Sequence, residues 1–276
     1  MIDLGFCWAF GPSSLPEEEL PYLRECGFDG IELWPQALEQ FGVERWGRTL
    51  RSEGMRALQL CPYFNFVAGP EKIAGSRTMF LQYLEMAREL DCSRLRVFTG
   101  PPWGEGVVGA AEATEAQWAA AIENLADYAE IAGKSGVELC LECHEGSLME
   151  DAPSALRLLR AVDHPALTAN LQLPLLNETW EKSVERLGPL TSHIHIHNWK
   201  EGLGLGDLTY LGEGAFDWLP VLRRLVIDFD RKLCLSVEHP DHGGSSTLRE
   251  TARRDGATLR DWRRQAEEWK RGAGGE

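Results

Sequence analysis

What the chain lacks narrows the problem first. No Gly-x-Gly-x-x-Gly turn follows the first apolar run, IDLGFCW at 2–8, so the dinucleotide fingerprint of an open doubly wound sheet is missing. No long block of Lys or Arg is present. With 43 acidic against 28 basic residues the formal net charge is −15, which sets the chain against a nucleic-acid partner. The seven cysteines are odd in number and scattered, mostly in apolar runs such as VELCLEC and KLCLSVE, and read as buried reduced thiols. MIDLGFCWAFG has no basic segment followed by a long apolar run, and nothing elsewhere is long and apolar enough to span a bilayer. These features predict a cytoplasmic protein with no membrane partner. No linker rich in Pro, Gly or Ser divides the sequence, so residues 1–276 are expected to form a single domain.

The 43% hydrophobic content is sufficient for a substantial core, and its arrangement is regular. Eight short apolar runs, at 2–8, 29–34, 56–62, 94–100, 137–143, 166–173, 192–198 and 232–238, read as strands. Amphipathic segments at 16–26, 36–53, 77–90, 115–134, 153–162, 178–187 and 216–226 read as helices, and a C-terminal helix covers about 247–271. Strand–helix alternation argues for an α/β protein with a parallel sheet, and eight units in this length match a (β/α)8 TIM barrel.

The late strands carry a second pattern. Taking alternate residues, Leu139 and Leu141 oppose Glu138, Cys140 and Glu142; Leu167, Ala169 and Leu171 oppose Thr168, Asn170 and Gln172. Ile194 and Ile196 oppose His193, His195 and His197, and Leu235 and Val237 oppose Ser236 and Glu238. An antiparallel sheet with one wet face also gives such alternation. In a barrel, the apolar face packs on outer helices and the polar face points inward, where unpaired polar groups are costly. Glu142, Gln172, Glu238 and one imidazole of the trio form a donor set for a divalent cation. Its oxygen-rich character suits Mn²⁺ or Mg²⁺, with Co²⁺ or Zn²⁺ as alternatives.

At these residues the chain resembles the sugar phosphate isomerase/epimerase group of the xylose isomerase-like barrels. DGIELW and RLRVFTG are similar to that family's second and fourth strands, and LGEGAFDW to its Gly-x-Gly loop and following helix start. LECHEG fits the fifth-strand pattern, whose metal-ligating Glu falls on Glu142. HIHIHNW fits the seventh-strand His-x-His pattern, whose second His, the ligand, is His195. LSVEHP fits the eighth strand, with Glu238 as ligand. The sixth strand departs from the pattern: Gln172 stands where the family has Asp, and Leu175 where it has His. A neutral amide there weakens the charge opposing a cation; Asn170, on the same face, is a lower-ranked substitute.

The resemblance implies an enzyme that isomerises or epimerises a carbohydrate through a metal-stabilised enediolate, with Glu142 and Glu238 as the acid/base pair. Substrate contacts are expected from Glu32, Trp34, Arg96, Trp103, His144 and His197. For several of these a plain role is also open: Arg96 paired with an interior carboxylate, Trp103 as a packing aromatic, His144 behind a ligand. His193 is expected deeper, as a hydrogen-bonded core residue. A dehydratase or lyase on a cyclic polyol or keto acid, and a non-catalytic sugar-binding barrel, are the alternatives. Apurinic-site endonuclease activity, also found among such barrels, lacks the extra histidines on early strands. Related barrels often pair, so a homodimer is a further expectation.

Overall fold

The structure, a computed structural model, describes residues 2–273 except 12, 13, 102 and 105. The barrel strands are β1 (Ile2–Cys7), β2 (Gly30–Leu33), β3 (Arg56–Leu60), β4 (Arg94–Val97), β5 (Glu138–Glu142), β6 (Leu167–Leu171), β7 (Thr191–Ile196) and β10 (Leu233–Val237). They form a closed barrel in the order β1-β10-β7-β6-β5-β4-β3-β2. Two two-residue strands, β8 (Asn198–Trp199) and β9 (Leu208–Thr209), pair antiparallel beyond the end of β7. The α/β barrel expected from the strand–helix alternation is therefore the observed fold. Contacts group the chain into two compact units, Met1–Leu58 with His193–Glu276, and Gln59–Ser192.

In the first unit, α1 (Pro16–Glu25), α2 (Pro35–Phe41), α3 (Val43–Glu53), α8 (Trp218–Arg223) and α9 (Leu248–Ala273) accompany the strands. The amphipathic run 36–53 is two helices, not one. Gly42 between them has φ +74°, a conformation that ends the first helix and that L side chains rarely adopt. The run 216–226 also differs: α8 passes into a π-helical turn over Arg224–Asp228. The C-terminal helix packs on β1, α1 and α8. It buries Ala252, Asp255, Gly256, Leu259, Trp262 and Ala266 at helical spacing. Gly256 is required by close approach, because a Cβ there would meet the Cys26 carbonyl oxygen at 2.5 Å.

The second unit contains α4 (Pro70–Glu89), α5 (Glu115–Lys134), α6 (Ala152–Val162) and α7 (Trp180–Leu187). α4 starts seven residues earlier than its apolar spacing suggests, at a proline whose missing N–H costs nothing in a first turn. Thr114 with Gln117, and Asp151 with Ser154, form capping boxes that open α5 and α6. α5 buries Trp118, Ala121, Leu125, Tyr128 and Ala132 on one stripe, and Tyr128 stacks on Phe80 at 4.1 Å. Full burial of a side chain of this size contributes roughly 2–3 kcal/mol.

All seven cysteines are buried, and none is in a disulfide. Cys140 and Cys143 have Cys-x-x-Cys spacing, but an extended strand turns residues three apart to opposite sides. Burial pushes the Cys140 thiol up to about 12 and Cys143 higher still, so both are inert. Among the described residues no helix is long and apolar enough to cross a membrane.

Candidate active site

In the first unit, β2 and β7 place one carboxylate between two imidazoles. Glu32 is fully buried, as are His193 and His195. Its Oε1 lies 2.7 Å from His193 Nε2 and its Oε2 lies 3.1 Å from His195 Nε2. A carboxylate can only accept, so both rings donate through Nε2. Burial works against the Glu32 charge, but His195 and His193 hold its carboxyl well below the usual range. With Nε2 committed to Glu32, His195 turns Nδ1 toward Glu238, whose Oε1 is 3.4 Å away.

Glu238 stands one residue past the end of β10. Its other oxygen lies 3.5 Å from His197 Nδ1, and His239 Nε2 is 3.9 Å from Oε1. Burial alone would raise this carboxyl; the surrounding imidazoles, His195 foremost, instead hold it far below its ordinary value. His239, two residues past the end of β10, has φ +51°. Cys7, paired in register with Glu32, offers a thiol within 4.8 Å of ligand atoms of Glu32 and His195.

His197 is held from behind: Trp218 Nε1 donates to its carbonyl at 3.0 Å. Next to it, the buried Asn198 amide donates to the Leu211 and Phe216 carbonyls, and its Oδ1 accepts from the Trp199 and Phe216 backbone N–H groups. This ties the GEGAFDW loop to the end of β7. Gly214 has no room for a side chain there, since a Cβ would meet the Asn198 amide carbon at 2.0 Å. Sequence reasoning missed both Asn198 and the role of Glu32. The available signals were an acid inside the apolar run GIEL and an Asn directly after the alternating histidines of HIHIH.

In the second unit, Glu142 ends β5 and Arg96 lies on neighbouring β4, with Arg96 in register with Cys140. Arg96 Nη1 is 3.2 Å from Glu142 Oε2, and both side chains are buried. Of the two roles open to Arg96, this is the pairing with an interior carboxylate. Its Nη2 donates to the carbonyls of Cys61 at 2.9 Å and Pro62 at 3.3 Å. Its guanidinium lies over Tyr63 at 4.3 Å and Phe98 at 4.7 Å. Burial opposes the Arg96 charge, but Glu142 keeps the group above its ordinary pKa.

Trp103 is 55% exposed and meets Tyr63, Phe98 and His144 edge-on at 5.6–6.2 Å. The half-buried His144 ring is anchored by Nδ1, 2.6 Å from the Glu145 carbonyl. Together these rings form an aromatic wall. Gln172, half-buried, follows the last residue of β6, and Asn170 is buried in register with Glu142. Leu175 is buried. In the first unit Trp34 is the N-cap residue of α2 and lines a cavity with Trp8.

Residues 20–266 match the family model described as the xylose isomerase-like TIM barrel, and the chain belongs to that family. A 3-dehydroshikimate dehydratase of Bacillus anthracis is 23% identical over 189 residues, which span 64% of this chain and 64% of that protein. The D-psicose 3-epimerase of Clostridium cellulolyticum H10 superposes with a TM-score of 0.75 at 14% identity, covering 95% of this chain and 98% of its own. The IOLI protein, solved with a zinc atom, gives a TM-score of 0.75 at 19% identity, covering 94% and 97%. At such identities the structural likenesses speak for the fold.

Proposed function

We propose that the chain is a divalent-metal-dependent enzyme that moves a proton on a sugar or sugar-like hydroxycarbonyl compound, as an isomerase or epimerase. The observation that carries this is the approach of His195 Nδ1 to Glu238 Oε1 at 3.4 Å, with His195 Nε2 already engaged by Glu32. His195 Nδ1 and Glu238 Oε1 face each other across a buried gap that either a proton or a divalent cation bridges. A carboxylate–imidazole pair of this kind, with the second ring nitrogen held by a further carboxylate, is the arrangement that orients a metal-ligating histidine. The donors therefore fit the cation that the family resemblance implies.

His195 and Glu238 are assigned as two ligands; Glu142, which matches the family's fifth-strand ligand, and Gln172, which stands where its sixth strand has Asp, complete the set. Three oxygens and one imidazole favour Mn²⁺ or Mg²⁺; the zinc of the IOLI protein keeps a softer ion in view. When bound, such a cation polarises a substrate carbonyl and stabilises the oxyanion that follows proton loss. Glu238, a carboxylate at neutral pH, is assigned as the base that takes a proton from carbon. Glu142 is its acid/base partner, and Arg96 fixes the carboxyl in one orientation. Trp103, His144 and His197 are assigned to substrate contact.

A second reading is supported by the similarity to a dehydratase. In that reading Glu238 would take the α-proton and Glu142 would protonate a β-hydroxyl, which leaves as water as the C=C bond forms. The test is NMR in D₂O with a panel of ketoses and inososes. Deuterium entering the carbon beside the carbonyl, lost by at least about 100-fold in Glu142→Gln and Glu238→Gln, is the expected result. Water elimination in place of a re-protonated epimer or isomer selects the dehydratase reading. No exchange with any member of the panel counts against proton transfer.

A further inference from the structure

Within the first unit a cavity of about 380 Å³ opens beside the C-terminal ends of β10, β1 and β2. It reaches His239, the residue after Glu238, and Cys7, the register partner of Glu32. Its walls are of two kinds. Trp8, Phe10 and Trp34 supply aromatic surface, and Gln36 and Gln40 supply amides that both donate and accept. Trp8 is only 5% exposed, yet its indole Nε1 has no hydrogen-bond partner among the described residues. A buried N–H of this sort is costly unless something accepts from it.

The charge of the lining is equally specific. No Lys or Arg is among the described residues that line the cavity, and Asp241 adds an acid. Only His239 there can become positive. A phosphate ester brings nearly two negative charges and is normally met by Arg or Lys. Neutral hydroxyls need amides and an indole N–H, and the C–H faces of a polyol pack on aromatic rings.

We propose that this cavity is the subsite for the uncharged, hydroxylated end of the substrate, so that the enzyme takes free sugars or cyclic polyols and discriminates against their phosphate esters. The Trp8 indole donates to one substrate hydroxyl. The proposal rests on the reading of Glu238 as part of the reacting centre, and it deepens that reading by naming the substrate class.

The test is calorimetric titration of the full-length, metal-loaded protein with D-fructose and myo-inositol against D-fructose 6-phosphate and myo-inositol 1-phosphate. At least one neutral compound is expected to bind at least about tenfold more tightly than its ester. A smaller ratio, or no binding of either neutral compound, overturns the proposal. Gln40→Lys places a cation in the cavity and is expected to improve ester binding about fivefold or more. No gain means that discrimination lies elsewhere and overturns the assignment to this cavity. Trp8→Phe keeps the ring, removes the N–H and is expected to weaken binding of the neutral compound about three- to tenfold; unchanged affinity overturns the role of the indole. Thermal midpoints of both variants report folding separately. Because the readout is binding, failure of proton transfer shows in the D₂O exchange experiment while the affinity ratios stand by themselves.

Discussion

Glu32 Oε2 accepts from His195 Nε2 at 3.1 Å, and the same carboxylate accepts from His193 at 2.7 Å. One acid on β2 thereby orients two imidazoles on β7 and decides which nitrogen of His195 is turned to Glu238. Replacing it tests that control. Glu32→Ala leaves two buried N–H groups without their acceptor and is expected to cost about 2–5 kcal/mol in chemical denaturation. Glu32→Gln keeps the volume but offers one acceptor oxygen for two donors. Its expected mark is a 10- to 100-fold loss of metal affinity in equilibrium dialysis, larger than its loss of stability would suggest.

Acid sensitivity follows from the same network. Glu32 and Glu238 are both held below the ordinary carboxylate value of 4.5, against the effect of burial, by the imidazoles around them. A carboxyl whose folded-state pKa is depressed contributes stability that is fully present above its unfolded value. That contribution disappears as pH falls from about 4.5 through the folded-state value. Stability should thus be intact at neutral pH and fall below pH 4.5. Glu238→Gln should flatten this acid limb. An acid limb of unchanged slope in that variant would show that Glu238 is not held as described.

In the second unit the buried Arg96–Glu142 pair predicts a sharp asymmetry. Arg96→Met removes the partner of a buried acid and is expected to destabilise by about 3–5 kcal/mol. The double variant Arg96→Met with Glu142→Gln should recover part of that loss, as a denaturation double-mutant cycle would show. Arg96→Lys retains charge but not the fork that reaches Cys61 and Pro62 or the planar stacking on Tyr63 and Phe98, so it should not restore full stability.

Much of the framework was legible because strand alternation and helix spacing are local. Where local pattern and backbone conflict, reading fails. The spacing of 36–53 continues through Gly42, so nothing in its periodicity reveals the φ of +74° that breaks the helix. The first turn of α4 is exposed and polar, leaving Pro70 as its only local sign. The inward faces of β5, β6, β7 and β10 were readable as a donor pattern. The clamp on His195 was not, because Glu32 and His195 are 163 residues apart and an acid in a short strand carries no mark of its partner. Arg96 likewise showed its residue type but not the carboxylate it would meet.

Gln172 is one of two sixth-strand positions, with Leu175, at which the sequence departs from the pattern it resembles, and its role can be tested by restoring charge. Gln172→Asp adds one anionic oxygen to the assigned ligand set and should tighten Mn²⁺ binding by about tenfold in equilibrium titration. Unchanged affinity would remove residue 172 from the set.

The central claim, that His195 and Glu238 hold a divalent cation, is tested most directly by metal analysis of purified protein after loading with Mn²⁺ and extensive dialysis. The wild-type chain should retain one ion per chain, and His195→Ala and Glu238→Ala, checked as folded by circular dichroism, should retain almost none. A wild-type protein that binds no divalent metal under any loading condition, or folded variants that keep it in full, would contradict the account.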